Sequence, residues 1–438
     1  MVMFRFHPRA HAAVLAAPLL LCVVVLYVFS DDVSADLDGY WTAATAKAAS
    51  ALMFISPVAA ACAAWEAGRL RRAKISAGTP IRNGLYIAGA ALLPVLLLGV
   101  LALAVALAGV RLQMESPPGW PDAWIIASSI AVLCAHVLVG YAVGMWLPAV
   151  AAVPVVLVGD YLWNVYPPAL QPLWLRHLTQ PAHGCCMNSA SADMAGIAGP
   201  ALVAVGLAGL AIAAAAACRH TPRLGSLPVS ALSTGAAIAL TVAAATGVGS
   251  VTLVSKLGPD AVRARPASDL RCTDSQSPQV CLWPEHAHRL AETARTVSTA
   301  VEGLQNVGVP APETVTEGGR QPSVEQWTIT VRQDERFTDQ DILAGLVTDL
   351  TMLLVSSQSD DSRTGCPEDP ARAAQRAFES EAELSGWLSV HAGMNPEQAR
   401  LRYGPRTWAS VSRVLDGSTN IQMEWYRTTL AQVRCMPR

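Results

Sequence analysis

"GLYIAGAALLPVLLLGVLALAVALAGV", residues 84–110, runs its whole length without one Asp, Glu, Lys or Arg. As a helix rising 1.5 Å per residue it would reach roughly 40 Å, more than the ~30 Å hydrocarbon core of a bilayer. A soluble core helix has no use for so long an apolar run, and the chain therefore reads as a membrane protein. Composition agrees, with 52% hydrophobic and 15% charged residues and a mean hydropathy of +0.35.

Moving outward, six further stretches have a similar character, at about 12–29, 43–65, 123–147, 149–166, 196–218 and 229–254. The fifth span in chain order, "AVAAVPVVLVGDYLWNVY", is short and carries Asp160, so a re-entrant hairpin with the fourth competes with a full crossing. A carboxylate in a span faces a bundle interior or a water-filled path, which makes Asp160 a transport-path candidate. Tyr161, Trp163 and Tyr166 follow it and mark an interface, so it could equally reach headgroup water.

Loop charge sets the orientation. With the amino terminus inside, cytoplasmic stretches hold Arg5, Arg9, Arg69, Arg71, Arg72, Lys74, Arg82, Arg219 and Arg223. The short exterior loops hold Arg111 and Arg176, with Lys47 near an interface. That asymmetry is the positive-inside pattern, and seven spans would leave the rest of the chain outside. The first stretch also reads as a signal peptide, with Arg5, Arg9 and "VSA" before Asp36; its length favours an anchor that is retained.

Residues 1–254 carry 12 of the 31 basic and 9 of the 33 acidic residues, so most charge lies beyond. The expected organisation is a transmembrane bundle over 1–254, a linker over 255–270 and an extracytoplasmic domain over 271–438. That domain should be mainly helical and of α+β type. Cys272, Cys281, Cys366 and Cys435 lie in it, and an even set in an oxidising compartment favours disulfides. Closeness in sequence favours Cys272 with Cys281 and Cys366 with Cys435. Cys22, Cys62, Cys134 and Cys218 fall in spans and read as small apolar residues.

"PQVCLWPEHAHRL", residues 278–290, concentrates Cys281, Glu285, His286 and His288. Its spacing is poor for a zinc cage, and Pro284 with Glu285 suits a helix start ahead of Leu290, Ala294, Val297, Val301 and Leu304. A disulfide followed by a helix is the preferred reading. Farther on, "VEQWTITVRQ" alternates as a half-buried strand, and Thr338 with Asp341 resembles a capping box opening an apolar helix. Glu383, Trp387 and His391 recur at steps of four on the next helix, without HExxH or HxxEH. Asn395 and Pro396 open another, followed by helices near 406–415 and 419–434.

No phosphate-binding, nucleotide-binding, hydrolase or nucleic-acid motif is present, so no cofactor or metal is expected and no enzymatic activity is assigned. The loop "WEAGRLRRAKISAGTPIRNG" is a topology determinant attracted to anionic lipid, or a cytoplasmic surface for a partner. In the exterior loop between the fifth and sixth spans, "PPALQPLWLRHLTQPAHGCCMNSASADM", a lipid-surface helix around Leu170 to Leu178 is expected. Its Cys185 and Cys186 could pair, bind metal or seek other partners.

The Ala/Val/Leu/Gly-rich spans, the arginine-rich "EAGRLRR" connection and this Pro-rich exterior loop resemble the permease subunits of ABC-2-type exporters of high-GC Gram-positive bacteria, over about residues 1–220. The resemblance implies a separate cytoplasmic ATPase, dimerisation around a substrate path, and a partner-coupling surface bordered by Glu66, Arg69, Arg71 and Arg72. A seventh span and an exterior domain of about 180 residues depart from that family. Two other classes fit the departure: a membrane-anchored sensor or ligand-binding protein, and a tethered hydrolase using Glu285, His286, His288, Glu383 or His391.

Overall fold

The computed structural model describes residues 11–30, 38–73, 84–114, 117–220, 229–274, 276–318, 323–332, 337–356 and 370–433. The chain forms two compact units, Met1–Ala264 and Arg265–Arg438. The sequence reading puts residues 255–270 in a linker, but the segment is shared out: its first part completes the first unit and its last part is held in the second.

The first unit is a helical bundle. Its helices are α1 (Ala12–Val28), α2 (Trp41–Ser50), α3 (Leu52–Arg72), α4 (Gly84–Leu112), α5 (Ala123–Trp146), α6 (Ala149–Val165), α7 (Met194–His220) and α8 (Val229–Val254). Among the described residues five helices are long and apolar enough to cross a membrane, and six if the bent pair α2 and α3 counts as one span. Helix α1, where a further span is expected, is apolar but 17 residues long. The second expected span is broken: α2 and α3 meet at 41°. Both α5 and α6 qualify as spans, so each is a crossing candidate by itself.

Small residues bring the helices of this bundle close. Gly140 and Gly144, one turn apart on α5, lie against the backbone carbonyl oxygens of Ala60 and Ala64 on α3, where a Cβ would overlap them. Lipid tails offer no hydrophobic drive for helices to associate, so close backbone packing between small residues is what holds them. Around this seam Leu20, Val24, Ile55, Val95, Leu133 and Val137 are buried, whereas Leu19, Leu97, Val150 and Leu240 point outward. After α6, a 3-10 turn at Leu173–Leu178 stands where a longer surface helix is expected. Strand β1 (Ala190–Ala192) then pairs antiparallel with β2 (Val262–Ala264).

The second unit has a four-stranded sheet in the order β3 (Arg271–Cys272), β4 (Gln279–Leu282), β5 (Thr314–Glu317) and β6 (Gln326–Ile329). Strands β4, β5 and β6 are parallel and β3 is antiparallel to β4. Helix α9 (Leu290–Gln305) makes the crossover from β4 to β5; α10 (Asp339–Ser356), α11 (Pro370–His391), α12 (Pro396–Leu415) and α13 (Thr419–Val433) complete the unit. The Thr338 backbone N–H and hydroxyl both donate to Asp341 Oδ2 at 2.8 Å, which opens α10 as a cap. Asn395 accepts from Glu397 N at the start of α12. Trp327, Ile329, Leu346, Leu384, Trp387 and Leu388 form the centre of one apolar core.

Candidate functional site

Two helices that meet at Pro148 place the most unusual side chains of the bundle together. His136 on α5 and Asp160 on α6 stand at equal sequence distance on either side of Pro148, so in an antiparallel hairpin they fall at the same depth. The His136 Nδ1–H donates to Asp160 Oδ1. Their side chains are 7% and 9% exposed. Asn164, one turn farther along α6, donates through Nδ2 to the same carboxylate oxygen at 2.9 Å and to the Asp160 carbonyl at 2.8 Å. Its amide oxygen is reached by Gln180 Nε2 at 3.5 Å, and both residues are buried. Asp160 Oδ2 is buried and has no hydrogen-bond partner among the described residues. A line of polar groups thus runs from mid-span to the loop that follows α6.

That loop is tied to the end of the bundle. His177 Nε2–H donates to Gly258 O at 2.9 Å, and the Arg176 guanidinium donates to Pro259 O at 3.1 Å and Pro168 O at 3.0 Å. Burial pushes the His177 pKa down. His183 is lowered to about 4, first by burial and then by the charge of Arg176 and by His177, with Asp260 acting in the opposite sense. Both imidazoles are therefore neutral at pH 7. Cys185 and Cys186 are bonded to each other.

At the other end of α3 the candidate coupling residues have internal partners. Glu66 is buried; its Oε1 accepts from Ala12 N at 2.8 Å and Arg69 binds both carboxylate oxygens at 3.0 to 3.1 Å. Arg71 donates to the Met145 and Trp146 carbonyls at the end of α5. Arg72 lies 5.7 Å from the Trp65 ring centre. Lys74 and Arg82 lie outside the described residues. Between α1, α3 and α6 there is a wholly apolar cavity of about 430 Å³, lined by Leu19, Val23, Phe54, Pro57, Leu157 and Tyr161 among others.

In the second unit Cys272 and Cys281 form a disulfide across the β3–β4 pair; Cys366 and Cys435 lie outside the described residues. The segment 278–290 is a strand followed by a 3-10 turn before α9 begins. Arg265 holds Glu285 in a bidentate pair at 3.0 and 3.1 Å and lies 4.7 Å over the Trp283 ring. The His286 Nδ1–H donates to Glu317 Oε1 at 2.7 Å, while Trp283 N donates to Glu317 Oε2 at 3.0 Å. His288 is exposed. His391 binds Gln422 Oε1 at 3.0 Å and packs on Trp387, and burial lowers its pKa. Glu285 and His286 therefore serve separate acid–base pairs, and His391 stands in a third setting. Among the described residues no three His, Cys, Asp or Glu side chains are grouped to hold a metal ion.

His136, Asn164 and Gln180 in the first unit, and Arg265 and Glu317 in the second, are partners that the sequence reading does not single out. The equal spacing of His136 and Asp160 about Pro148 is the one signal in the sequence that could have joined them.

A family model described as "Domain of unknown function (DUF7224)" matches residues 280–435, within the second unit. No curated protein matches the chain, and no solved structure matches it.

Proposed function

We propose that this chain is the integral membrane component of a transporter. The observation that carries the reading is the buried His136–Asp160 pair, extended by Asn164 and Gln180 to the loop after α6. Ionisable groups are expensive inside a bilayer and are retained where a polar path or a proton relay needs them. An apolar pair of the same volume would pack as well with less cost, so anchoring alone gives no reason for these residues.

In the fuller form of the proposal the chain is an ABC-2-type permease-like subunit in the cell membrane, multi-pass, with a separate cytoplasmic ATPase as partner. Its amino terminus is then cytoplasmic and its second unit extracytoplasmic. The arginines ending α3 support the first placement and the Cys272–Cys281 disulfide the second. Glu66, Arg69 and Arg71 are engaged within the bundle, and of that set Arg69, 42% exposed, and Arg72 reach the surface where a partner would dock.

The test is affinity purification of the tagged full-length chain from its native membrane. Recovery of a stoichiometric Walker-motif ATPase supports the fuller form, and its absence at every tested detergent condition counts against it. A second reading, a membrane-anchored ligand-binding protein, is favoured by one observation: residues 265–438 form a compact unit with its own core. Binding of an exterior ligand without any transport across reconstituted vesicles would favour that reading instead.

A further inference from the structure

We propose that the His136–Asp160 pair is a reversible proton-binding site inside the bundle. This holds for the pair itself and does not depend on the ATPase partnership proposed above.

With a neutral imidazole donating to a carboxylate, the pair carries one net negative charge. That charge lies about 20 Å along α5 from its amino-terminal end, near the middle of a 24-residue helix. Two donors reach Asp160 Oδ1, and Oδ2 has none among the described residues. One oxygen of a buried carboxylate is thus solvated by protein and the other is bare. A proton placed on Oδ2 removes the net charge, and a neutral group costs less than an unpaired ion in apolar surroundings. Because the groups share a hydrogen bond, uptake belongs to the pair and not to either residue alone.

The surroundings contain little else that titrates. Helix α5 adds Cys134 and Tyr141, and α6 adds Tyr161. Helix α3, packed on both, carries Cys62 and, in its last turns, Glu66, Arg69, Arg71 and Arg72. Helix α7, also packed on α5, has no titratable side chain between Met194 and Ala217. Helix α4 has Tyr86 and Arg111 near its ends, and α2 has Lys47. Beyond Gln180 stand Arg176, His177, His183 and Asp260. The nearest polar route therefore leads through Asn164 and Gln180 toward the loop after α6.

A metal or alkali cation fits the site less well than a proton. Such ions need several converging oxygens, but the amide of Asn164 turns its NH₂ to the carboxylate and its oxygen away toward Gln180.

Dicyclohexylcarbodiimide, which modifies protonated carboxyl groups in apolar surroundings, tests the proposal on the full chain in lipid nanodiscs between pH 5 and 9. Mass spectrometry reads the adduct on Asp160. The expected result is labelling that falls with rising pH around one midpoint. His136→Leu, which removes a donor to the carboxylate, should move that midpoint up by about one pH unit, a tenfold change in proton affinity. His136→Gln keeps an N–H donor and should give a midpoint between the two, which separates loss of the donor from misfolding. The proposal is overturned by wild-type labelling that is absent throughout, by labelling without pH dependence, or by a midpoint that neither variant moves. Protection by sodium at fixed pH would also overturn it, in favour of a cation site.

Discussion

Glu66, near the end of α3, accepts a hydrogen bond from the backbone nitrogen of Ala12 at the start of α1, 2.8 Å away. The first turn of any helix has backbone N–H groups with no intrahelical partner, and an acidic side chain there also complements the helix dipole. Glu66 therefore fastens the amino-terminal helix to the bundle, with Arg69 balancing its charge. Glu66→Ala should cost about 2 kcal/mol, because a part-buried N–H loses its acceptor. Thermal unfolding of the purified chain in detergent reads this loss. Arg69→Ala should cost less, since its guanidinium is half exposed. If the two variants melted at the same temperature as wild type, Glu66 would be free for the partner-coupling role suggested by its position.

The α3–α5 seam makes a sharper demand. A side chain on Gly140 has nowhere to go but the Ala60 carbonyl, and Gly144 is in the same position against Ala64. Gly140→Leu should destabilise the bundle by about 3 kcal/mol or more, since backbone cannot give way as a side chain can. Gly89 is the control: a Cβ there meets nothing within 4 Å. Gly89→Ala should be neutral or stabilising by up to about 1 kcal/mol, because alanine loses less freedom in a helix. Equal melting temperatures for the two variants would contradict the close packing.

How much of this was legible depends on which force set it. The spans are readable because bilayer thickness fixes both length and composition, and α4 to α8 fall within a few residues of the apolar stretches. The break at Ala51 is not, because "AASALMF", residues 48–54, carries no proline or charge to mark it. Asp160 stood out as a lone acid in an apolar run, but a histidine such as His136 reads as ordinary core until its partner is known. In the second unit, α10 and the caps at Thr338 and Asn395 announce themselves locally. Strands β3, β4 and β5 do not: each has four residues or fewer. Strand β5 also buries Glu317, which breaks any apolar alternation, because its partners His286 and Trp283 N come from a distant segment.

The loop after α6 should show an acid-dependent loosening. His183 has its pKa lowered to about 4 from an ordinary 6.5. A depressed folded value means the neutral form is preferred, so its contribution is complete above pH 6.5 and is lost as pH falls toward 4. Histidine NMR of the full chain in nanodiscs should place the His183 midpoint near 4, well below the ordinary 6.5. Arg176→Leu should raise it by removing a nearby positive charge, and Asp260→Asn should lower it further. A His183 titration near 6.5 would show that the imidazole is solvated and the loop is open.

The second unit depends on one buried charge pair at its start. Arg265 and Glu285 have side chains 10% and 4% exposed and meet through two parallel hydrogen bonds, with Trp283 beneath the guanidinium. Removing one member leaves the other charged in low dielectric, so Arg265→Ala should destabilise this unit by about 3 kcal/mol. Arg265→Lys should recover only part, because an ammonium cannot make the bidentate contact or stack as a planar cation does. The double variant Arg265→Met with Glu285→Leu leaves no buried charge unpaired, only the half-exposed Asp269 losing its cation, and should be less damaged than Arg265→Ala alone, the non-additivity expected of direct partners. Urea titration of the full chain, followed by tryptophan fluorescence, orders the three. Should lysine restore full stability, the pair would be a simple charge contact, and the bidentate geometry would have no energetic consequence.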